Sequence, residues 1–126
     1  RTGLGKLYIQ REEWTKAEEQ LARVSRMDPS RAENRFLYGK ALYELKRFSD
    51  AERELMQGLM LQPRVSGDAR IILANIYIEQ ERLTDARDML KSYLRENPFA
   101  DNKKEIEARI KELDKQITLY TLPEME

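Results

Sequence analysis

The sequence predicts an all-α fold, a right-handed α-solenoid of helix-turn-helix repeats. Three observations lead to this prediction: several residue types recur every 34 or 35 positions, helix-start signals recur with them, and glycine and proline are scarce in a strongly charged chain. Of the 126 residues, 37% are charged and 40% are hydrophobic, whereas 5 are Gly and 4 are Pro. This composition is typical of a folded helical protein and excludes a low-complexity or collagen-like chain.

Five series of residues share one repeat length. Pro29, Pro63 and Pro98 are separated by 34 and 35 residues, and the second gap is the longer one in every series, which predicts a longer turn near residues 65–67. The repeats are predicted at approximately 1–31, 32–65 and 67–100. The other four series are Ala17, Ala51 and Ala86; Trp14, Phe48 and Leu83; Leu21, Leu55 and Leu90; and Gly5, Gly39 and Ala74.

Hydroxyl side chains predict where the helices begin. Thr15, Ser30 and Ser49 are each followed three residues later by a glutamate, which is the spacing of a capping box, and Thr84 supplies the hydroxyl without the glutamate. Helices should therefore begin near residues 15, 30, 49, 67 and 84, with one more after Asp101.

The Gly5, Gly39 and Ala74 series predicts a close approach of two helices in each repeat. Glycine weakens a helix interior by about 1 kcal/mol relative to alanine, so a packing advantage must offset its presence. We expect the small residues of the Ala17, Ala51 and Ala86 series to lie opposite, with the series that begins at Trp14 filling the space where the helices diverge.

Residues 101–120 are predicted to form a capping helix with one apolar stripe. Such a helix would cover the apolar face of the last repeat and present charges to water. An alternative is a short coiled-coil seam that gives weak self-association through this C-terminal helix. Pro123 should end the helix, and residues 121–126 should form a loose tail. The stripe consists of Ile106, Ile110, Leu113, Ile117 and Tyr120.

The pattern resembles the tetratricopeptide repeat, a helix-turn-helix of 34 residues with small, aromatic, alanine and proline positions at fixed offsets. Three copies cover residues 1 to about 100. The chain departs from the family at Arg35 and Arg70, where an opening aromatic is common, and at Leu42, where tyrosine is common. Arg1 falls at the fourth position of its unit, so we expect a fragment of a larger protein.

The resemblance implies a superhelix whose concave face, built from the first helix of each repeat, binds another polypeptide. This surface would be amphipathic, and Phe36, Lys40, Tyr43 and Asn75 are its expected hot spots. Ile9, Ile71 and Ile78 fit packing between first helices equally well. The predicted partner-binding residues are Lys6, Ile9, Phe36, Lys40, Tyr43, Ile71, Asn75 and Ile78.

Several functional classes are excluded or disfavoured by composition. Lys plus Arg and Asp plus Glu are both 23, which disfavours a nucleic-acid partner. The chain has no Cys and no His, so disulfides and thiol or imidazole chemistry are excluded. Because no nucleophile, base or metal-ligand set converges, we expect no enzyme activity, no catalytic residues, no metal site and no cofactor. The most apolar stretch, 71–78, is too short for a membrane span.

The predicted function is therefore a non-catalytic module that docks a protein or peptide partner. The main alternative is a structural spacer or self-assembly segment in a longer helical array, and an RNA-binding helical repeat is a weaker one. In relatives that bind acidic chaperone tails, basic or amide side chains form a clamp. Because the corresponding positions here hold Thr2, Leu37, Asp68 and Ile72, that specialisation is disfavoured. A soluble protein of the cytoplasm or periplasm is compatible with the sequence, which does not indicate the compartment.

Overall fold

The computed structural model describes residues 2–64 and 67–121, and within these ranges it consists of α-helices and turns without a β-strand. The all-α fold class is thus confirmed. The chain divides into two compact units, Arg1–Val65 and Ser66–Glu126. Of the predicted tail, residues 121–126, only Thr121 is described, and it is the last residue of a helix. Of the predicted longer turn, residues 65–67, only Gly67 is described. The helices are α1 (Thr2–Gln10), α2 (Trp14–Met27), α3 (Ala32–Glu44), α4 (Phe48–Leu61), α5 (Ala69–Glu79), α6 (Leu83–Glu96) and α7 (Lys103–Thr121).

The first unit contains α1 to α4, and each helix packs against the next one along the chain. The first helices of its two hairpins, α1 and α3, also touch each other. Ala17, Leu21 and Val24 of α2 meet Ala41 of α3 in a buried cluster. Burial of apolar surface at such clusters is the main favourable contribution to folding. Partly buried side chains from α1 and α3 surround the cluster, namely Tyr8, Ile9, Leu37 and Tyr38.

The second unit contains the α5–α6 hairpin and α7, which packs against α6. Leu73, Ile76 and Leu90 are fully buried. Four residues of the predicted α7 stripe are partly or fully buried, from Ile106 through Ile117. Tyr120, the fifth, is 81% exposed, so the buried stripe is one turn shorter than the spacing predicts.

In the first two hairpins, a leucine of the second helix packs where the first helix has no side chain. A Cβ built on Gly5 would lie 2.8 Å from Cγ of Leu21, and one built on Gly39 would lie 2.6 Å from Cγ of Leu55. The predicted close approach is therefore correct. The nearest side chains at the two glycines are those of the leucine series, which the sequence analysis did not name as their partners. Ala51 lies nearby through its carbonyl oxygen, 3.4 Å from the Cβ built on Gly39.

The predicted capping boxes are absent. The residues that precede α2, α3, α4 and α6 are Glu13, Arg31, Arg47 and Arg82, and none of them makes a side-chain capping hydrogen bond. The helices nevertheless begin within two residues of the predicted positions.

A tight backbone turn between the helices of each hairpin explains these starts. Glu12, Lys46 and Glu81 have φ angles of 56°, 62° and 59°, the left-handed region in which glycine is usual. The N–H of each following residue donates to a carbonyl five residues back, as in Arg47 N–H to Leu42 O at 2.9 Å. This pattern is a Schellman motif, which ends the first helix and directs the chain into the second. The three turn residues are spaced by 34 and 35 like the other series.

The proline series follows directly on the ends of the second helices. Asp28, Gln62 and Asn97 are the C-caps of α2, α4 and α6, with φ angles of −139°, −144° and −133°. A residue before proline avoids the helical region because of the proline ring, so each proline fixes the end of a repeat.

A buried ion pair occupies the position at which the family commonly has an aromatic residue. Arg35 Nη1 of α3 donates to Glu54 Oε1 of α4 at 2.8 Å, and the two side chains are 19% and 7% exposed. Arg35 Nε also donates to the Pro29 carbonyl at 3.2 Å. The pair therefore connects both helices of the second repeat to the end of the first.

Replacing Lys46 by Gly should raise the free energy of unfolding by about 1 kcal/mol, because glycine adopts a left-handed conformation without the steric cost of a Cβ. Urea denaturation followed by circular dichroism measures the change. Lys46→Ala is the control, since it removes the same charge and keeps the Cβ. An equal gain in both variants would contradict the explanation by backbone strain.

Arg35→Met should lower the free energy of unfolding by about 3 kcal/mol, because it leaves the Glu54 carboxylate buried without its main partner. The double variant Arg35→Met, Glu54→Leu should recover most of the lost free energy of unfolding. Arg47→Met serves as the control, since it breaks the ion pairs of the half-exposed Arg47 with Asp50 and Glu18 and should cost less than about 1 kcal/mol. If the two single variants lose the same amount in urea denaturation, burial does not strengthen the Arg35–Glu54 pair.

Candidate peptide-binding surface

Five of the eight predicted binding residues lie on neighbouring first helices of the first unit. Lys6 and Ile9 belong to α1, and Phe36, Lys40 and Tyr43 belong to α3. Lys6 is exposed, and the other four side chains are half-buried. We call these five residues the α1–α3 surface.

Polar side chains bridge the two helices at this surface. Lys6 forms an ion pair with Glu33 of α3. Thr2 Oγ1 donates to Asn34 Oδ1 over 2.7 Å, and Asn34 is buried. Because Lys6 and Glu33 are about half exposed, solvent screens their attraction and the pair fixes geometry more than it adds stability. The bridges hold α1 and α3 in register and neutralise the lysine in part.

The apolar side chains of the α1–α3 surface are anchored by the helices behind them. A Cβ built on Gly58 of α4 would lie 2.6 Å from Cε1 of Phe36, so the absence of a side chain there lets the phenylalanine ring lie on the α4 backbone. The rings of Tyr43 and Phe48 are 5.9 Å apart and tilted by 49°. Ile9 packs against the buried cluster of the first unit. These side chains are thus held in place while part of each one remains accessible.

The other three predicted residues lie on α5 in the second unit. Ile71, Asn75 and Ile78 are half-buried. Asn75 Oδ1 accepts a hydrogen bond of 2.6 Å from Nη2 of Arg109 on α7, so this oxygen has an internal partner. Ile78 lines a hollow of about 360 Å³ between the end of α5 and the end of α7. Its other lining residues are Glu81, Leu83, Gln116 and Tyr120.

Arg109 is a residue of this region that the sequence analysis missed. A signal for it exists, because the series Lys6, Lys40 and Asn75 continues to Arg109 with gaps of 34, 35 and 34. Extending the repeat register into the capping helix would have placed Arg109 beside Asn75.

Residues 2–64 and 67–121 contain no cluster of three or more acidic side chains that could hold a metal ion. Over the same ranges, no helix is both long enough and apolar enough to pass through a bilayer. Two positions of the chaperone-tail clamp belong to the interior, since Leu37 packs against the buried cluster and Ile72 is buried. These apolar side chains lack the donors that a carboxylate requires.

Comparison with known proteins identifies the repeat. Residues 2–60 match the sequence profile of the tetratricopeptide repeat family. A comparison with curated proteins gives no significant match.

Solved tetratricopeptide-repeat domains share the fold at low sequence identity. The TPR2B domain of yeast Sti1, in a complex with pHsp70, is 19% identical with a TM-score of 0.78, and the match covers 90% of this chain and 92% of that one. The TPR domain of Arabidopsis OM64 is 18% identical with a TM-score of 0.79, covering 87% and 90%. The Yersinia enterocolitica type III secretion chaperone SycD, in complex with a peptide of the translocator YopD, is 13% identical with a TM-score of 0.78, covering 95% and 91%. The match over residues 2–60 and the helical-repeat fold shared with solved tetratricopeptide-repeat domains confirm the resemblance to this family found in the sequence.

Proposed function

We propose that this protein is a non-catalytic interaction module that binds a peptide segment of a partner protein on the α1–α3 surface. The observation that carries the proposal is the pairing of anchored, half-buried aromatic side chains, Phe36 and Tyr43, with the lysines of two neighbouring helices. Anchored aromatic residues are the usual source of binding energy at protein interfaces, because little conformational entropy is lost when a partner covers them. In the second unit, Ile71, Asn75 and Ile78 hold the equivalent repeat positions of α5.

Three proteins of the same fold support a peptide as the partner. The Sti1 domain is described in a complex with pHsp70, SycD with a peptide of YopD, and the first TPR of Spaghetti (RPAP3) with the HSP90 peptide SRMEEVD. The last of these is 16% identical to this chain.

The charges of the α1–α3 surface favour a mostly apolar peptide over a strongly acidic one. Glu33 neutralises Lys6, and Glu44 lies exposed at the end of α3. A peptide with several carboxylates would meet these acidic groups at close range, which costs binding energy. We therefore expect peptides with one or two large apolar side chains and at most one carboxylate opposite Lys40.

Peptides selected from a random 12-residue phage library on the immobilised protein provide the probe. Phe36→Ala should weaken the binding of such peptides at least about 10-fold, the loss typical of an interface hot spot. Lys40→Glu should lower the affinity for peptides that carry a carboxylate and leave the affinity for the other peptides unchanged. Fluorescence polarisation measures the affinities.

The contact of Phe36 with Gly58 requires a stability control. Phe36→Ala will lower the melting temperature, so affinities are compared at a temperature where circular dichroism shows both proteins folded. Phe99→Ala is the matched variant, since Phe99 is 96% exposed and lies outside the surface. Equal affinities of the Phe36 and Phe99 variants would refute the proposed site. Failure to enrich any peptide would favour the structural-spacer alternative.

A further inference from the structure

Two adjoining hollows lie between α2, α3 and α4 in the first unit, away from the α1–α3 surface. Pro29 and Arg35 line both hollows and join them. None of the eight predicted binding residues lines either one. The polar hollow measures about 310 Å³ and is lined by Ala22, Ser25, Arg26, Pro29, Arg35, Tyr38 and Glu54. The apolar hollow measures about 450 Å³ and is lined by Pro29, Arg35, Gln57, Met60 and Leu61.

The polar hollow contains a buried hydroxyl without a hydrogen-bond partner. Ser25 is 5% exposed, and its Oγ is the one buried side-chain polar atom without a partner in the described part of the chain. The other two buried polar residues of the described chain are Asn34 and Glu54. Their side chains accept hydrogen bonds from Thr2 and Arg35, respectively. Since buried polar atoms are almost always paired, the Ser25 hydroxyl is available to a hydrogen-bonding group that enters the hollow.

The groups around the polar hollow are mainly hydrogen-bond donors. Glu54 is paired by Arg35 at 2.8 Å and approached by Arg53 at 3.5 Å. Among the lining residues, the guanidinium groups of Arg35 and the exposed Arg26 outnumber the one carboxylate, that of Glu54. Burial raises the pKa of Tyr38, and the charges of Glu18 and Glu54 raise it further. The Tyr38 hydroxyl therefore stays protonated and can donate to an acceptor.

The apolar hollow exposes aliphatic surface next to these donors. Met60 is 79% exposed and Leu61 is 47% exposed, although both lie at the end of a packed helix. Methionine adapts its shape to different apolar side chains, which makes it common at peptide-binding surfaces. The volume of the apolar hollow is large enough for a leucine or phenylalanine side chain.

We propose that the two hollows form a second binding site, for an extended partner segment in which an aliphatic or aromatic side chain neighbours a carboxylate. The apolar side chain fills the hollow at Met60 and Leu61. The carboxylate lies in the polar hollow, where it accepts hydrogen bonds from Ser25 Oγ and Tyr38 and faces Arg26. The excess of guanidinium groups selects an acidic segment over a basic one.

A random 12-residue phage library panned on the full-length chain with one substitution tests this site. To separate it from the α1–α3 surface, panning uses the Phe36→Ala variant, with Met60→Asp for counter-selection. The enriched peptides should carry an aliphatic or aromatic residue within two positions of Asp or Glu. Synthetic versions should bind at least 10-fold more weakly to Met60→Asp and to Arg26→Glu. Analogues in which Asn or Gln replaces the Asp or Glu should bind the wild-type protein at least 10-fold more weakly than the selected peptides do.

Ser25→Ala distinguishes a binding role from a structural one. This variant removes a hydroxyl that has no partner in the free protein, so its melting temperature should stay equal or rise while affinity for the acidic peptides falls several-fold. Ser49→Ala, at an exposed position near the start of α4, is the matched control and should leave affinity unchanged.

Three results would overturn the proposal: no enrichment after counter-selection, enriched peptides without a carboxylate, or full affinity in both the Met60→Asp and Ser25→Ala variants. An ordered water on Ser25 Oγ in a crystal structure that contains the selected peptide elsewhere would overturn it as well. Because panning uses the Phe36→Ala protein, failure here leaves the α1–α3 surface untouched.

Discussion

In the first two hairpins, the contact between a leucine of the second helix and a glycine of the preceding first helix is the constraint on which the packing depends. Leu21 over Gly5 and Leu55 over Gly39 bring the helix backbones closer than any larger residue would permit. Close packing at this point buries the leucines completely and leaves one side of each first helix for other contacts. The remaining sides of α1 and α3 carry Lys6, Phe36 and Tyr43. Helix packing in the interior therefore determines which side chains a partner can reach.

The repeat length, the number of helices and the helix ends at proline were all predictable, because each depends on local residue types that recur in register. The hairpin turns were not predictable. The left-handed positions hold Glu12, Lys46 and Glu81, none of which has the preference of glycine or asparagine for this conformation. Hydroxyl residues three positions later suggested side-chain caps instead. The Schellman hydrogen bonds already direct the chain into the next helix, so those caps are absent, and the tertiary packing of the hairpin outweighs the local cost of the turn.

The placement of the candidate site was largely predictable, whereas its internal partners were not. Because five residue series share the same repeat length, Lys6 and Lys40 were assigned to equivalent helix positions, and both lie on the α1–α3 surface. A single-helix pattern treats each side chain as available to a ligand. In the folded protein, residues of successive first helices bind one another. Glu33 forms an ion pair with Lys6, and Arg109 donates a hydrogen bond to Asn75. Such pairs depend on the lateral spacing of helices, which sequence periodicity alone does not specify. A ligand at these positions must therefore displace an existing partner or bind beside it.

The capping helix shows how side-chain polarity limits the packing of α7. By register α7 is a first helix, since Ala108 continues the series of Gly5, Gly39 and Ala74 with a gap of 34. In α3 the neighbouring positions hold Tyr38 and Leu42, which pack inward, whereas α7 has Glu107 and Lys111. Ala108 is accordingly exposed in a shallow hollow of about 270 Å³ lined by Lys104, Glu107 and Lys111. Packing another apolar helix there would bury charges without partners, which costs several kcal/mol per charge by order of magnitude. The large exposed apolar side chains of α7 are Leu119 and Tyr120, near its end.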